Sequence, residues 1–219
     1  MINLKSYAES SGERALEIAK HAEVAWRETG VVIALAPSLL DLERVAAAVD
    51  IPVYSQHVDP VDAGAHTGHV PPALVKRAGA EGSLINHSER QVGLHHISEA
   101  LRMLRELELS SVVCAPTPGE SAAVAALGPD AVAIEPPELI GTGIPVSRAR
   151  PEVITDSLRA VVDVNPNVDL LCGAGITTGD DVRVALKLGT KGVLLASGVV
   201  KAKDPRKVLM DMAQASLAE

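Results

Sequence analysis

Short, continuously apolar runs alternate with longer segments whose apolar residues recur every three or four positions, and the alternation repeats eight times in 219 residues. The runs cover 2–4, 31–36, 53–56, 83–86, 111–115, 131–134, 168–172 and 192–196. Unbroken apolar character, rather than every second residue, is the mark of strands buried on both faces. The intervening segments read as helices. In the first, Ala15, Ile18, Ala19, Ala22, Ala25 and Trp26 form one apolar stripe. Others are predicted over 39–49, 71–78, 94–107, 120–127, 152–161, 180–188 and 204–217. Eight strand–helix units fit a closed (β/α)8 barrel, an α/β fold, with an open doubly wound sheet as the alternative. No linker, low-complexity tract or charge block interrupts the pattern, so one compact domain over 1–219 is expected. The chain is short for a barrel, so several helices and loops must be trimmed. The first strand starts beside Met1, which predicts weak pairing there.

Composition narrows the partners. The net charge of -8 argues against nucleic acid and against an anionic membrane surface, while leaving room for a small phosphorylated ligand at a local positive site. With no Phe, one Trp and two Tyr, the core must be aliphatic. Cys114 and Cys172 lie in separate apolar runs and read as buried thiols in a reducing compartment. No apolar run reaches the ~20 residues of a membrane span, and the start MINLKSYAES lacks a signal-peptide layout. A cytoplasmic protein is expected.

Barrel active sites gather at the C-terminal ends of the strands. Asn3-Leu4-Lys5 ends strand 1, Asn86-His87-Ser88-Glu89-Arg90 ends strand 4, and Glu135 ends strand 6. Gly173-Ala174-Gly175 follows strand 7 and Ala196-Ser197-Gly198 closes strand 8. His87 is expected at a helix start, where the dipole disfavours imidazolium; a neutral ring can donate to a carbonyl and pass protons at pH 7. The small-residue turns let backbone approach a ligand, and loops after strands 7 and 8 often hold phosphate. A lone lysine at a strand end is otherwise a solvated charge, and the two turns are otherwise ordinary βα connections. Glu89 reads as a helix-start or ion-pair residue. His66 and His69 lie three apart in a loop without a nearby ligand set, so no metal is expected. His21 and His57 have no identifiable partner, and adjacent His95 and His96 are expected to be partly exposed.

Taken together, "NLK" at 3–5, "INHSERQ" at 85–91 and "EPPELIGTG" at 135–143 resemble triosephosphate isomerases, in the right order and at the right strand ends. "VDPVDAGAHTGHV" at 58–70 is similar to the family's long third loop, and "CGAGITTGDDV" and "LLASGVVKAKDP" resemble its short archaeal branch. The resemblance implies interconversion of dihydroxyacetone phosphate and D-glyceraldehyde 3-phosphate, without metal or organic cofactor. It implies Glu135 as the proton-transfer base, His87 as the neutral electrophile and Lys5 as positive charge on substrate and oxyanion. Asn3 would shape that site, and Ile140, Gly175, Ala196 and Ser197 would hold the phosphate. Pro136-Pro137 and Gly141-Thr142-Gly143 would be the two hinges of a closing lid, with Glu138 riding on it. A homo-oligomer is implied, a tetramer rather than a dimer, with the third loop and Thr67 at a subunit interface. Departures are Ile134 for a frequent Tyr, Pro137-Glu138-Leu139 for Val-Trp-Ala, Ala196-Ser197 for a glycine pair and His69 for an acid.

Other phosphate-binding barrels fit less well. A Schiff-base aldolase needs a lysine within a central strand, and none occurs in strands 2 to 8; an epimerase usually needs a metal set. A degenerate, non-catalytic barrel would be expected to lose Lys5, His87 or Glu135, yet all three are present.

Overall fold

In the computed structural model of the chain, residues 1–139 and 144–217 are described. Ile140 and Gly141-Thr142-Gly143, the expected phosphate contact and second lid hinge, lie outside the described residues. Among the described residues eight strands run parallel: β1 (Ile2–Asn3), β2 (Leu35–Ala36), β3 (Tyr54–Ser55), β4 (Gly82–Ile85), β5 (Ser110–Ala115), β6 (Ala131–Ile134), β7 (Asp169–Gly173) and β8 (Gly192–Leu194). The principal helices are α1 (Glu13–Thr29), α2 (Leu42–Ala46), α3 (Pro72–Arg77), α4 (Leu94–Glu106) and α5 (Pro118–Ala125), followed by α6 (Val146–Ala149), α7 (Pro151–Val164), α8 (Gly179–Lys187), α9 (Ser197–Val200) and α10 (Pro205–Leu217).

Pairing is fullest from β3 to β8, which form one sheet in sequential order. β1 and β2 form a pair joined to both edges of that sheet by single bridges, Ile2 with Leu195 and Leu35 with Val53. Sequential parallel neighbours with bridges at both ends make this an α/β barrel of the (β/α)8 type. The first strand is not weakly held. Asn3 N–H donates to Leu195 O at 2.7 Å, Ile2 N–H to Ala34 O at 2.8 Å, and the Met1 amine to Val193 O at 2.8 Å. The second strand is shorter than predicted, and Val32, expected within it, is 68% exposed.

Why the strands are apolar throughout is visible in the packing. Leu84, Val112, Cys114, Ala131, Ala133 and Leu194 form one cluster, while their chain neighbours Ile85, Val113, Ala115, Val132, Ile134, Val193 and Leu195 join another. Successive side chains on a strand point to opposite faces, so the first set fills the barrel and the second meets the helices. The inner set is largely small, consistent with a lumen filled without Phe. Continuing the β6 alternation, Ala131 and Ala133 lead to Glu135 on the inward side, at the barrel mouth. Glu135 N–H extends the ladder by donating to Ala115 O at 2.9 Å.

Helix ends follow local chemistry. Thr117 accepts the Glu120 N–H at 3.2 Å, and Pro118 stands in the first turn, so α5 starts earlier than the apolar pattern predicts. Thr178 and Asp181 form a reciprocal capping box at α8. The short α9 was not predicted; it begins where strand 8 was expected to end.

Candidate active site

Seven of the expected residues line one pocket: Asn3, Lys5, His87, Glu135, Gly175, Ala196 and Ser197. They come from the ends of β1, β4, β6, β7 and β8, which the barrel brings to one mouth.

Three of these ends hold a non-glycine residue in left-handed backbone: Lys5 with φ 51°, Asn86 with φ 61° and Ala174 with φ 70°. Such strain persists where surrounding contacts enforce it. Lys5 N–H donates to Asn3 Oδ1 at 2.9 Å. Gln56 Nε2 lies 3.2 Å from the same oxygen, 3.0 Å from Lys5 O and 2.9 Å from Ala36 O, tying the ends of β1, β2 and β3. Asn86 Nδ2 donates to Cys114 O at 2.9 Å, and its Oδ1 accepts the Val92 N–H at 2.9 Å. Gln56 was not singled out in the sequence, because nothing in its own neighbourhood reveals contacts with three strand ends.

Lys5 Nζ lies 2.9 Å from Glu89 Oε1, with the Lys5 side chain 13% exposed. Glu89 thus serves as an ion-pair residue. His87 differs from expectation: α4 starts only at Leu94, so no helix start stands behind the ring. His87 lies instead at a turn closed by Arg90 N–H donating to His87 O at 2.7 Å. Within it, Glu89 N–H donates to His87 Nδ1 at 3.2 Å. A ring nitrogen that accepts carries no proton, so the neutral ring bears its proton on Nε2. That nitrogen faces Glu135 Oε1 at 3.5 Å.

Glu135 is 5% exposed, and its Oε2 is buried with no hydrogen-bond partner. Burial raises its carboxyl above the usual range, against the opposing pull of His87, the Cys114 thiol and Lys5. Burial also pushes Cys114 well up, and Cys172 up to about 12; both are free, buried thiols. Glu138 behaves differently from Glu135. It sits in the 3-10 turn Pro137–Leu139, more than half exposed, with Oε1 2.6 Å from Arg150 Nη1.

In the same pocket, a Cβ on Gly175 would lie 1.9 Å from Ile144 O, and its φ is 74°, so glycine is needed there. Ala196 and Ser197 stand at the start of α9, whose first N–H groups have no acceptor within the helix. The pocket can therefore hold an anion against backbone donors, with a buried carboxyl group, an imidazole and an ammonium group around the remainder of a small ligand.

The structure pairs His57, for which the sequence suggested no partner, with Asp59: Nε2 and Oδ1 are 3.0 Å apart. His95 is exposed and His96 half-buried. His66 and His69 are exposed, with ring centroids 5.7 Å apart.

The family model described as triosephosphate isomerase matches residues 1–216. The triosephosphate isomerase of Methanothermobacter thermautotrophicus is 56% identical over 97% of this chain and 93% of its own length. Those of Methanobacterium bryantii and Methanothermus fervidus are 52% and 53% identical over 97% of this chain, covering 94% and 96% of their own lengths. With a whole-chain family match and relatives far above the identity at which fold and lineage diverge, the chain belongs to the triosephosphate isomerase family.

Proposed function

We propose that this pocket interconverts dihydroxyacetone phosphate and D-glyceraldehyde 3-phosphate, with Glu135 as base, His87 as electrophile and Lys5 as the positive charge. In triosephosphate isomerases a glutamate base and a neutral histidine are the known pair. The observation that carries the assignment is the buried, unpartnered Oε2 of Glu135 beside His87 Nε2. An unsatisfied buried carboxylate oxygen is costly, which makes it a strong base once ionised.

The steps follow from the groups. Glu135 takes a proton from the carbon beside the carbonyl, forming an enediolate. His87 Nε2–H donates to the developing oxyanion and relays a proton between the two oxygens. Lys5 offsets the negative charge. Glu135 then returns its proton to the neighbouring carbon, which leaves enzyme protonation unchanged. Asn3 holds Lys5 in its strained conformation. Gly175, Ala196 and Ser197, with Ile140 from the lid, hold the phosphate away from the reacting carbons, giving remote binding energy for closure. No cofactor takes part in these steps. A coupled assay in both directions tests the activity, and competitive inhibition by a nonreactive phosphorylated acid tests the anion site. Absence of turnover contradicts the reaction, and absence of inhibition contradicts the phosphate site.

The same reading makes the chain one barrel domain over 1–219 that works as a homo-oligomer, a tetramer rather than a dimer. Residues 62–69 of the third loop, including Thr67, are exposed in the single chain, as a segment that enters a neighbouring subunit must be. No helix among the described residues is long and apolar enough to cross a membrane. The unpaired thiols fit a reducing, cytoplasmic setting.

A further inference from the structure

Beside the active-site pocket, three side chains converge that the isomerase reaction does not use. His57 and Asp59 follow β3 two residues apart, and His96 reaches them from α4. One ligand atom from each lies within 4.8 Å of the other two. His57 is 3% exposed, and Asp59 and His96 are half-buried. The two imidazole rings have centroids 5.4 Å apart.

We infer that His57, Asp59 and His96 form a binding site for one borderline divalent transition cation of the zinc class. Two imidazoles and one carboxylate suit such an ion, whereas magnesium and calcium call for mostly oxygen ligands. Three protein ligands leave a fourth position for water.

The surroundings orient the donors as a metal site requires. Asp59 Oδ2 accepts the Val70 N–H at 2.8 Å, which fixes the carboxylate while Oδ1 faces His57. His96 Nε2 lies 2.9 Å from Val58 O, so it donates, and the neutral ring keeps a lone pair on Nδ1. A backbone carbonyl holding one ring N–H is the usual partner of a metal-bound histidine. In the cation-free chain, His57 Nε2–H satisfies Asp59; on binding, that proton moves to Nδ1 and the cation takes its place. Arg90 opposes a cation, since its Nη2 lies 4.0 Å from Asp59 Oδ1, but its side chain is 57% exposed and can turn into water.

The location suggests the consequence. Asp59 and Val70 close the base of the third loop, with Asp59 N–H donating to Val70 O at 2.9 Å. A cation would clamp that base to α4. His57 and Arg90 also line a cavity of about 460 Å³ shared with Lys5, His87 and Glu89. The cation would therefore steady the wall next to the active site without touching the reacting atoms. This inference stands on its own geometry, so its failure leaves the isomerase assignment intact.

The test uses purified protein stripped by a chelator, titrated with Zn²⁺ by calorimetry and with Co²⁺ by visible absorption. The expected result is one Zn²⁺ per chain, a higher Tm on loading, and Co²⁺ bands, all lost in His96→Gln and in Asp59→Asn. Circular dichroism and turnover of the stripped variants confirm that each is folded, and if one is not, the other decides. The His66→Gln/His69→Gln double variant should bind as the parent does. No stoichiometric binding, binding that survives His96→Gln or Asp59→Asn in folded protein, or binding lost in the loop double variant overturns the assignment.

Discussion

His87 Nε2 stands 3.5 Å from Glu135 Oε1, with both side chains less than a tenth exposed. That separation is too long for a good N–H···O bond, so neither group uses up the other. In the proposed reaction the histidine's Nε2 proton is then available to a substrate oxygen and the glutamate's lone pairs to a carbon-bound proton. The proton's position on Nε2 comes from the Glu89 N–H at Nδ1, a turn contact rather than a helix dipole. His87→Gln removes the relay while leaving an amide donor. Turnover should drop by about 10²–10⁴-fold, the usual share of general acid–base catalysis. A near-normal kcat would contradict the electrophile assignment.

Burial raises the Glu135 carboxyl in the folded chain, so the native state binds this proton more tightly than the unfolded chain does. Its contribution to stability therefore rises as pH falls through the raised value, and above that value the buried carboxylate is a cost. Activity runs the other way, since the base must be ionised: kcat/KM should fall as pH drops through the same value. Glu135→Gln removes the ionisation. The Tm of the Gln variant relative to the parent should be highest near neutral pH and shrink in acid. A pH-independent difference would contradict a buried carboxylate at this position.

Gly173 supports Glu135 from β7. A Cβ there would lie 2.4 Å from Glu135 Cγ and 3.1 Å from Ile134 O. Gly173→Ala must push the carboxylate out of place. A misplacement of ~1 Å costs about 10²-fold in rate. Turnover of the folded variant should drop by that order, with KM changed much less, as steady-state kinetics would show. A change in KM alone would mean that Gly173 serves substrate binding rather than the base.

The assembly reading predicts a solution mass by light scattering near four times the 22.8 kDa chain. A dimer would correct the stoichiometry, and a mass of one chain would remove the subunit role assigned to the third loop and Thr67.

Much of the barrel could be read from the chain because strands buried on both faces leave continuous apolar runs. Glu135, directly after the apolar run 131–134, could be placed at a strand end from the chain, whereas its inward direction follows from the packing, where Ala131 and Ala133 share the inner cluster. What escaped depends on contacts between distant segments. The left-handed backbone of Lys5 and Ala174 has no propensity signal in those residue types, whereas Asn86 is of a type that adopts it more readily. Gln56 gathers three strand ends, and His96 reaches His57 and Asp59 from α4, so no spacing along the chain announces either group. The helix starts at Leu94 as the pattern predicts, but His87 lies before it in a turn closed by Arg90 N–H, so the helix start expected at that residue is absent.

Glu135 and Glu138 are both carboxylates within one short stretch, yet one is buried without a partner for Oε2 and the other is exposed and paired with Arg150. The most direct measurement compares kcat of Glu135→Gln and Glu138→Gln in the coupled triose-phosphate assay. Glu135→Gln should lose at least about 10²-fold, as removal of a general base does, while Glu138→Gln should stay within about 10-fold of the parent. Normal turnover in Glu135→Gln, or a larger loss in Glu138→Gln, would contradict the assignment of Glu135 as the base.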